Sequence, residues 1–173
     1  MPSIPSLKPL LQVALDFIDV NEALRIAELA VDGGADIVEA GTPLIKSEGI
    51  RVVRLLRERF PHITVVADLK AIDASRVEVE IAAKNGADVV TVLGLADDAT
   101  IKAAIEEAEK HGVQVCVDMI GVQDPVIRSI EVERMGAKAV CLHVGIDVQR
   151  SRGIDASMLV AEIKTLSRSI SIP

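Results

Sequence analysis

The chain has 173 residues, half of them apolar, and a formal charge of −7; it is long enough for one sizeable core and too apolar to be disordered. The acidic balance, the lack of Trp and Tyr and the presence of only two Phe argue against binding a polyanion by bulk electrostatics or base stacking, so no nucleic-acid partner is expected. No apolar run approaches the ~18 residues of a membrane span. The opening MPSIPSLKPL has one Lys and no apolar h-region, so residues 1–10 read as a short leader before the first strand of a cytoplasmic protein with no membrane partner.

Short apolar runs then alternate with helical patterns. In chain order the strand candidates are LQVAL (11–15), DIVEA (36–40), TVVAD (64–68), VVTVL (89–93), VQVCVD (113–118) and AVCLH (139–143). Each is followed by an amphipathic stretch, which is the pattern of parallel strands joined by helical crossovers. The turns GGAD (33–36), NGAD (85–88) and MGAK (135–138) supply glycines for the left-handed position that stops a helix. Helix starts are marked by Asp19 with Glu22, by Ser75 with Glu78 as a capping box, by Asp124 before Pro125, and by Asp155. The charged RVVRLLRER (51–59) reads as the solvated face of a helix. His62 and His111 read as structural, and Cys116 and Cys141, inside apolar runs, as buried reduced thiols.

Six βα units are present, and a seventh strand begins at SISIP. An open doubly wound sheet and a barrel could both hold six units. The loop DFIDVNEA after the first strand lacks the G-x-G-x-x-G phosphate turn of a dinucleotide fold. Polar residues at nearly every strand C-terminus favour a (β/α)8 TIM-type barrel, whose sites gather there. The expected fold class is α/β, a single incomplete barrel domain over 1–173, truncated after about six units.

Because side chains i and i+2 share a strand face, the inward set at the strand ends is Asp16, Glu39, Asp68, Asp118 and His143, with Cys116 and Cys141 one layer below and Lys70 above Asp68. So much charge at one mouth is costly unless it is paired or bound to metal. Converging carboxylates suit a hard divalent cation, Mg²⁺, with Glu39 and Asp68 as its ligands. Lys70, between Asp68 and Asp73, is expected to stay protonated and to clamp an anionic intermediate. His143 titrates near neutrality and can move a proton.

The D-x-K-x-x-D spacing of Asp68, Lys70 and Asp73 resembles the orotidine 5′-monophosphate decarboxylase suprafamily. Together with LQVALD, EAGTPLIKSEG, VADLKAIDA, VTVLGLADDATI, VDMIGVQDP and LHVGID, over residues 11–147, it resembles the 3-hexulose-6-phosphate synthase family. The resemblance implies a ribulose-phosphate-binding-like barrel and an aldehyde-lyase. The implied reaction is a Mg²⁺-dependent aldol condensation of formaldehyde with ribulose 5-phosphate through an enediolate, or its reverse, in a homodimer. It implies metal binding by Glu39 and Asp68, and Lys70 near the enediolate. His143 would be a proton shuttle, Asp16 a sugar contact, Asp118 a group positioning Lys70, and Asp73 an acid reaching the partner's site. The family grips phosphate with loops after strands seven and eight, so weak or absent activity is expected of this chain. Two other readings are 3-keto-L-gulonate-6-phosphate decarboxylase-type activity, against which GTPLIKSEG counts, and a non-catalytic truncated barrel acting as an oligomerisation module.

Overall fold

A computed structural model describes residues 9–153 and 156–173. Six strands, β1 (Gln12–Leu15), β2 (Ile37–Ala40), β3 (Thr64–Ala71), β4 (Val89–Leu93), β5 (Gln114–Asp118) and β6 (Ala139–Cys141), form one sheet in the order 1-2-3-4-5-6. Every pairing is parallel. A doubly wound sheet reverses its strand order part-way; this one never does. The architecture is therefore that of six βα units of a (β/α)8 TIM-type barrel.

The helices α1 (Val20–Asp32), α3 (Arg51–Arg59), α4 (Ser75–Lys84), α5 (Asp98–His111) and α6 (Pro125–Met135) return the chain between strands. Two short helices occupy loops at the strand C-termini: α2 (Thr42–Glu48) after β2 and α7 (Ile146–Arg152) after β6. A 3₁₀ turn (Ala156–Leu159) leads into α8 (Val160–Ser169). Alternation along the strands makes two cores. Val38, Ala40, Val65, Ala67, Val90 and Val92 face outward and pack with helical Ala23, Ala27, Val52, Leu56 and Ile101. Each fully buried Val or Leu contributes about 1.5–3 kcal/mol. Ile37, Val66 and Val89, with Leu10 and Cys116, fill the inner face below the mouth.

The turn chemistry follows the sequence in most places. Asp19 accepts from the Glu22 amide and Asp124 from the Ile127 amide. Gly34, Gly86 and Gly136 take φ of +99°, +91° and +109°. At the start of α4 the expectation fails: Ser75 is not the cap, because Ala74 holds that position at φ +48° and the Ser75 hydroxyl donates instead to the Thr100 carbonyl at 2.8 Å. The start expected at Asp155 and most of the leader, residues 1–8, lie outside the described residues.

Arg57 also departs from expectation, since it is not on a solvated face. Its guanidinium donates to the carbonyls of Gly86 (3.0 Å), Pro61 (3.2 Å) and Ile63 (2.9 Å) and pairs with Asp88. Asp88 in turn accepts from the Val65 amide at 2.8 Å. This knot ties the end of α3 to the starts of β3 and β4, at the end of the sheet opposite the mouth. Beside β6, the Val140 amide donates to the Pro173 carbonyl at 2.9 Å, and Glu133 accepts from the amides of Ser171 and Ile172. The SISIP segment thus begins to pair where a seventh strand belongs.

Candidate active site at the C-terminal ends of the strands

Register decides which strand-end groups meet. Leu93 pairs with Asp118, but Asp118 pairs with Cys141 and not with His143. His143 therefore stands one inward position above Asp118, close enough for its Nδ1–H to donate to Asp118 Oδ2 at 2.8 Å. The β3–β4 ladder is irregular between Ala67 and Ala71, where the strand continues beyond Asp68. Within that irregularity Lys70 takes φ +48°, a left-handed conformation that is uncommon and costly for a residue with a side chain. The result is that Lys70 turns back to the residue two positions earlier, with Nζ 2.5 Å from Asp68 Oδ2 and 3.5 Å from Asp118 Oδ2.

These contacts form one chain, Asp68–Lys70–Asp118–His143, from β3 through the end of β5 to the segment just past β6. Asp68 and Asp118 are buried at 4% and 2% exposure, so each needs its partners. Asp118 Oδ1 accepts from the Ile120 amide at 2.9 Å. Asp68 is held by two threonines that the sequence reading passed over. Thr42 Oγ1, in the first turn of α2, lies 2.6 Å from Asp68 Oδ2. Thr91 Oγ1, on β4, donates to Asp68 Oδ1 at 2.7 Å and accepts from the Lys70 amide at 3.0 Å. Thr91 had a signal in the sequence, as the one polar residue of VVTVL and two positions before the strand end. Thr42 had none, because its place depends on how α2 folds over β3.

Electrostatics follow from this packing. Burial works to lower the Lys70 ammonium, but the hydrogen bond and charge of Asp68, aided by Asp118, prevail and hold it above the ordinary lysine range. Burial likewise opposes ionisation of Asp68, yet the bonds from Lys70, Thr42 and Thr91 keep its carboxyl below the usual range. His143 is raised by its hydrogen bond to Asp118, against burial. Glu39 is pushed up to about 7, first by burial and then by the neighbouring Asp68 charge, despite a hydrogen bond from Gln12 and the Lys70 charge.

Asp16 and Asp73 stand differently. Asp16 is exposed at the end of β1 and lies against Gly41, where an added Cβ would collide with it and sit 2.9 Å from the Leu15 carbonyl. Asp73 is exposed, and its carboxylate accepts from the amide of its neighbour Ala74 at 2.7 Å. The cysteine expectation needs one correction: Cys141 is exposed and Cys116 only partly covered. Both project inward, where no helix covers them, and β6, on its side away from β5, is flanked only by the SISIP segment, through Pro173. His62 and His111 lie away from the site, His111 beside Glu107 at 3.2 Å.

The Glu39 and Asp68 oxygens are donors of the hard type that Mg²⁺ takes. Burial beside another carboxylate leaves Glu39 hard to ionise, a penalty that a divalent cation would lift, so the residues fit such an ion. Among the described residues no third His, Cys, Asp or Glu completes a close set with this pair. That suits an ion taking one or two protein carboxylates and filling its remaining positions with water or substrate.

Residues 9–170 match the family model of the orotidine 5′-phosphate decarboxylase / HUMPS family. The chain is 45% identical over 139 residues to 3-hexulose-6-phosphate synthase of Bacillus subtilis (strain 168), covering 80% of this chain and 66% of that one. To 3-hexulose-6-phosphate synthase of Mycobacterium gastri it is 44% identical over 151 residues, covering 87% and 72%. It thus spans about two thirds to three quarters of these relatives' length. A crystal structure of 3-hexulose-6-phosphate synthase superposes with a TM-score of 0.87 at 43% identity, over 91% of this chain and 76% of the other. 3-Keto-L-gulonate-6-phosphate decarboxylase from Streptococcus mutans, solved in complex with D-R5P, superposes at 0.84 with 28% identity, over 92% and 74%. The polar mouth thus sits on a framework shared in sequence and in shape, and the chain belongs to the orotidine 5′-phosphate decarboxylase / HUMPS family.

Proposed function

We propose that this chain carries the aldol chemistry of 3-hexulose-6-phosphate synthase: condensation of formaldehyde with ribulose 5-phosphate, or the reverse cleavage. The single observation that carries the reading is the chain of contacts Asp68–Lys70–Asp118–His143, which joins a fixed cation to a proton carrier. The relatives named above support the same substrate class. Asp118 takes the Nδ1–H of His143, which leaves Nε2 as the nitrogen that accepts the C1 proton of ribulose 5-phosphate. The imidazolium then formed is stabilised by Asp118, the role a buried carboxylate plays behind any catalytic histidine. Removing that proton leaves an enediolate, and the Lys70 ammonium, already charged and already held, faces its oxyanion without reorganising. C1 attacks the formaldehyde carbon, a C–C bond forms, and the new alkoxide takes the proton back from Nε2–H.

Glu39 and Asp68 would hold Mg²⁺, which as a Lewis acid polarises the ketose carbonyl and lowers the cost of the enediolate charge. Asp16 contacts a sugar hydroxyl from the rim. Asp73, exposed just before α4, reaches the mouth of a second copy in a homodimer.

Deuterium wash-in tests the reading. Ribulose 5-phosphate is incubated with the protein in D₂O and its C1 proton followed by NMR, with Mg²⁺ and then with EDTA. Metal-dependent exchange, lost at least 100-fold in Lys70→Ala and His143→Gln, is the expected result. Exchange that persists in both variants would remove the proposed roles. No exchange here, with release of CO₂ from 3-keto-L-gulonate 6-phosphate, would move the assignment to the decarboxylase, the activity named for neighbours at 26% and 28% identity.

A further inference from the structure

The mouth is chemically divided. On the β2–β3 side its donors are carboxylate oxygens only, Glu39 and Asp68. On the β5–β6 side stand a carboxylate, a thiol and an imidazole, Asp118, Cys141 and His143, whose ligand atoms all lie within 4.8 Å of one another. They form the one such group of three among the described residues. Lys70 separates the two sides, its Nζ nearer to Asp68 than to Asp118.

We propose that Asp118, Cys141 and His143 form a second cation site, selective for a thiophilic divalent ion of the Zn²⁺ type and distinct from the oxygen-donor pair. Three features of the geometry carry this. Parallel pairing sets Asp118 directly beside Cys141, so their side chains project from adjacent strands on the same inward face. His143, one inward position above, already holds Nδ1 at 2.8 Å from Asp118 Oδ2, so the two must part by only about 0.5 Å to admit a tetrahedral ion with bonds of about 2.1 Å. Cys141 is exposed.

The donor set is one nitrogen, one sulfur and one oxygen. That combination suits Zn²⁺ or Co²⁺ and is foreign to Mg²⁺. On binding, the Cys141 thiol yields its proton to solvent, and His143 shifts to the Nε2–H tautomer so that Nδ1 becomes a ligand. Lys70 keeps Asp68 as its partner. A fourth position stays open to water.

Occupancy has a functional consequence. It withdraws Asp118 from Lys70 and removes the basic nitrogen of His143, because Nε2 then carries the proton. The ion should therefore inhibit the wash-in reaction without displacing Mg²⁺ from Glu39 and Asp68. This consequence rests on the proposed aldol chemistry, whereas the site itself does not.

The test uses the full chain, stripped with EDTA and titrated with Co²⁺ alone under reducing conditions. Expected are a thiolate-to-cobalt charge-transfer band and intense d–d bands, saturating at one ion per chain. Cys141→Ser should lose the charge-transfer band and weaken Zn²⁺ binding, read by calorimetry, at least tenfold. Excess Mg²⁺ should leave both signals unchanged. No charge-transfer band in the parent protein would overturn the site, as would a band that survives Cys141→Ser, which would place the sulfur at Cys116. Where exchange activity is present, Zn²⁺ should suppress it in the parent and spare Cys141→Ser, which keeps its basal rate. Cobalt spectra as expected without any exchange activity would sink the aldol reading and leave the metal site standing.

Discussion

Thr91 shows how one hydroxyl can organise a site. It donates to Asp68 and accepts from the amide of Lys70, so it fixes both a carboxylate and the left-handed backbone that aims the lysine. Thr91→Val keeps the shape and removes both bonds, leaving a buried carboxylate short of one donor, at a cost of about 1–3 kcal/mol. The expected result is a fall of tenfold or more in kcat with KM nearly unchanged, and recovery in Thr91→Ser; equal losses in both variants would refute the positioning role. Glu39 makes a second prediction, on stability. Its folded value of about 7 lies above the 4.5 of an ordinary glutamate, so between those values the folded state keeps a proton the unfolded chain has shed. Stability contributed at this residue therefore falls as pH rises from about 4.5 to about 7 and is level above. In metal-free urea titrations, the difference between the parent and Glu39→Gln should follow that slope. Above pH 7, Mg²⁺ at 100 times its Kd should raise the parent's stability by about 2.7 kcal/mol and leave Glu39→Gln unmoved.

At the scale of elements, the two ends of the sheet are built differently. The end opposite the mouth is closed by Arg57 at the C-terminal end of α3, whose planar fork meets four carbonyls and Asp88. Lys has no such fork. Arg57→Lys should therefore be destabilising, and Arg57→Ala more so, by about 3 kcal/mol in denaturant titrations, since it strands a partly buried Asp88; a loss under 1 kcal/mol would show that the knot is incidental. The mouth end, by contrast, is built from irregularity. β3 runs past Asp68 through a broken register, and Ala74 starts α4 from a left-handed residue. These are features that a pattern of apolar spacing does not carry. A capping box at Ser75 was the natural reading of S-x-x-E, and it lost to a tertiary bond between Ser75 and Thr100 on α5.

At the scale of the whole molecule, the sheet is graded. β2 to β5 have a full neighbour on each side, whereas β1 is a sheet edge and β6, beyond its pairing with β5, meets only the SISIP segment through Pro173. Local opening is governed by buried contacts and backbone pairing. Amide exchange followed by mass spectrometry should find Val65–Ala67 and Val90–Val92 the most protected, with Val13 and Val140 exchanging at least 100-fold faster. Uniform protection across the sheet would mean that its edges are covered in solution by a second copy.

The sequence by itself determined the βα alternation, the strand positions to within three residues, most helix caps, and the barrel in preference to a doubly wound sheet. Each of these rests on local periodicity, turn residues and the phase of polar strand ends. It also placed Glu39, Asp68, Asp118 and His143 on one face, because alternation along a strand is a local rule. Only the tertiary structure decided who touches whom. The Asp118–His143 contact depends on the β5–β6 register, which pairs Asp118 with Cys141 and so lifts His143 by one inward position. The hold of Thr42 and Thr91 on Asp68 depends on segments about 25 residues apart in sequence closing to hydrogen-bond distance, and the charge of Lys70 shared between Asp68 and Asp118 depends on β3 and β5, about twice as far apart. The exposure of Cys141 and the partial burial of Arg57 reversed what their neighbours in sequence implied, because burial is a property of the surface around a residue and not of the run that contains it.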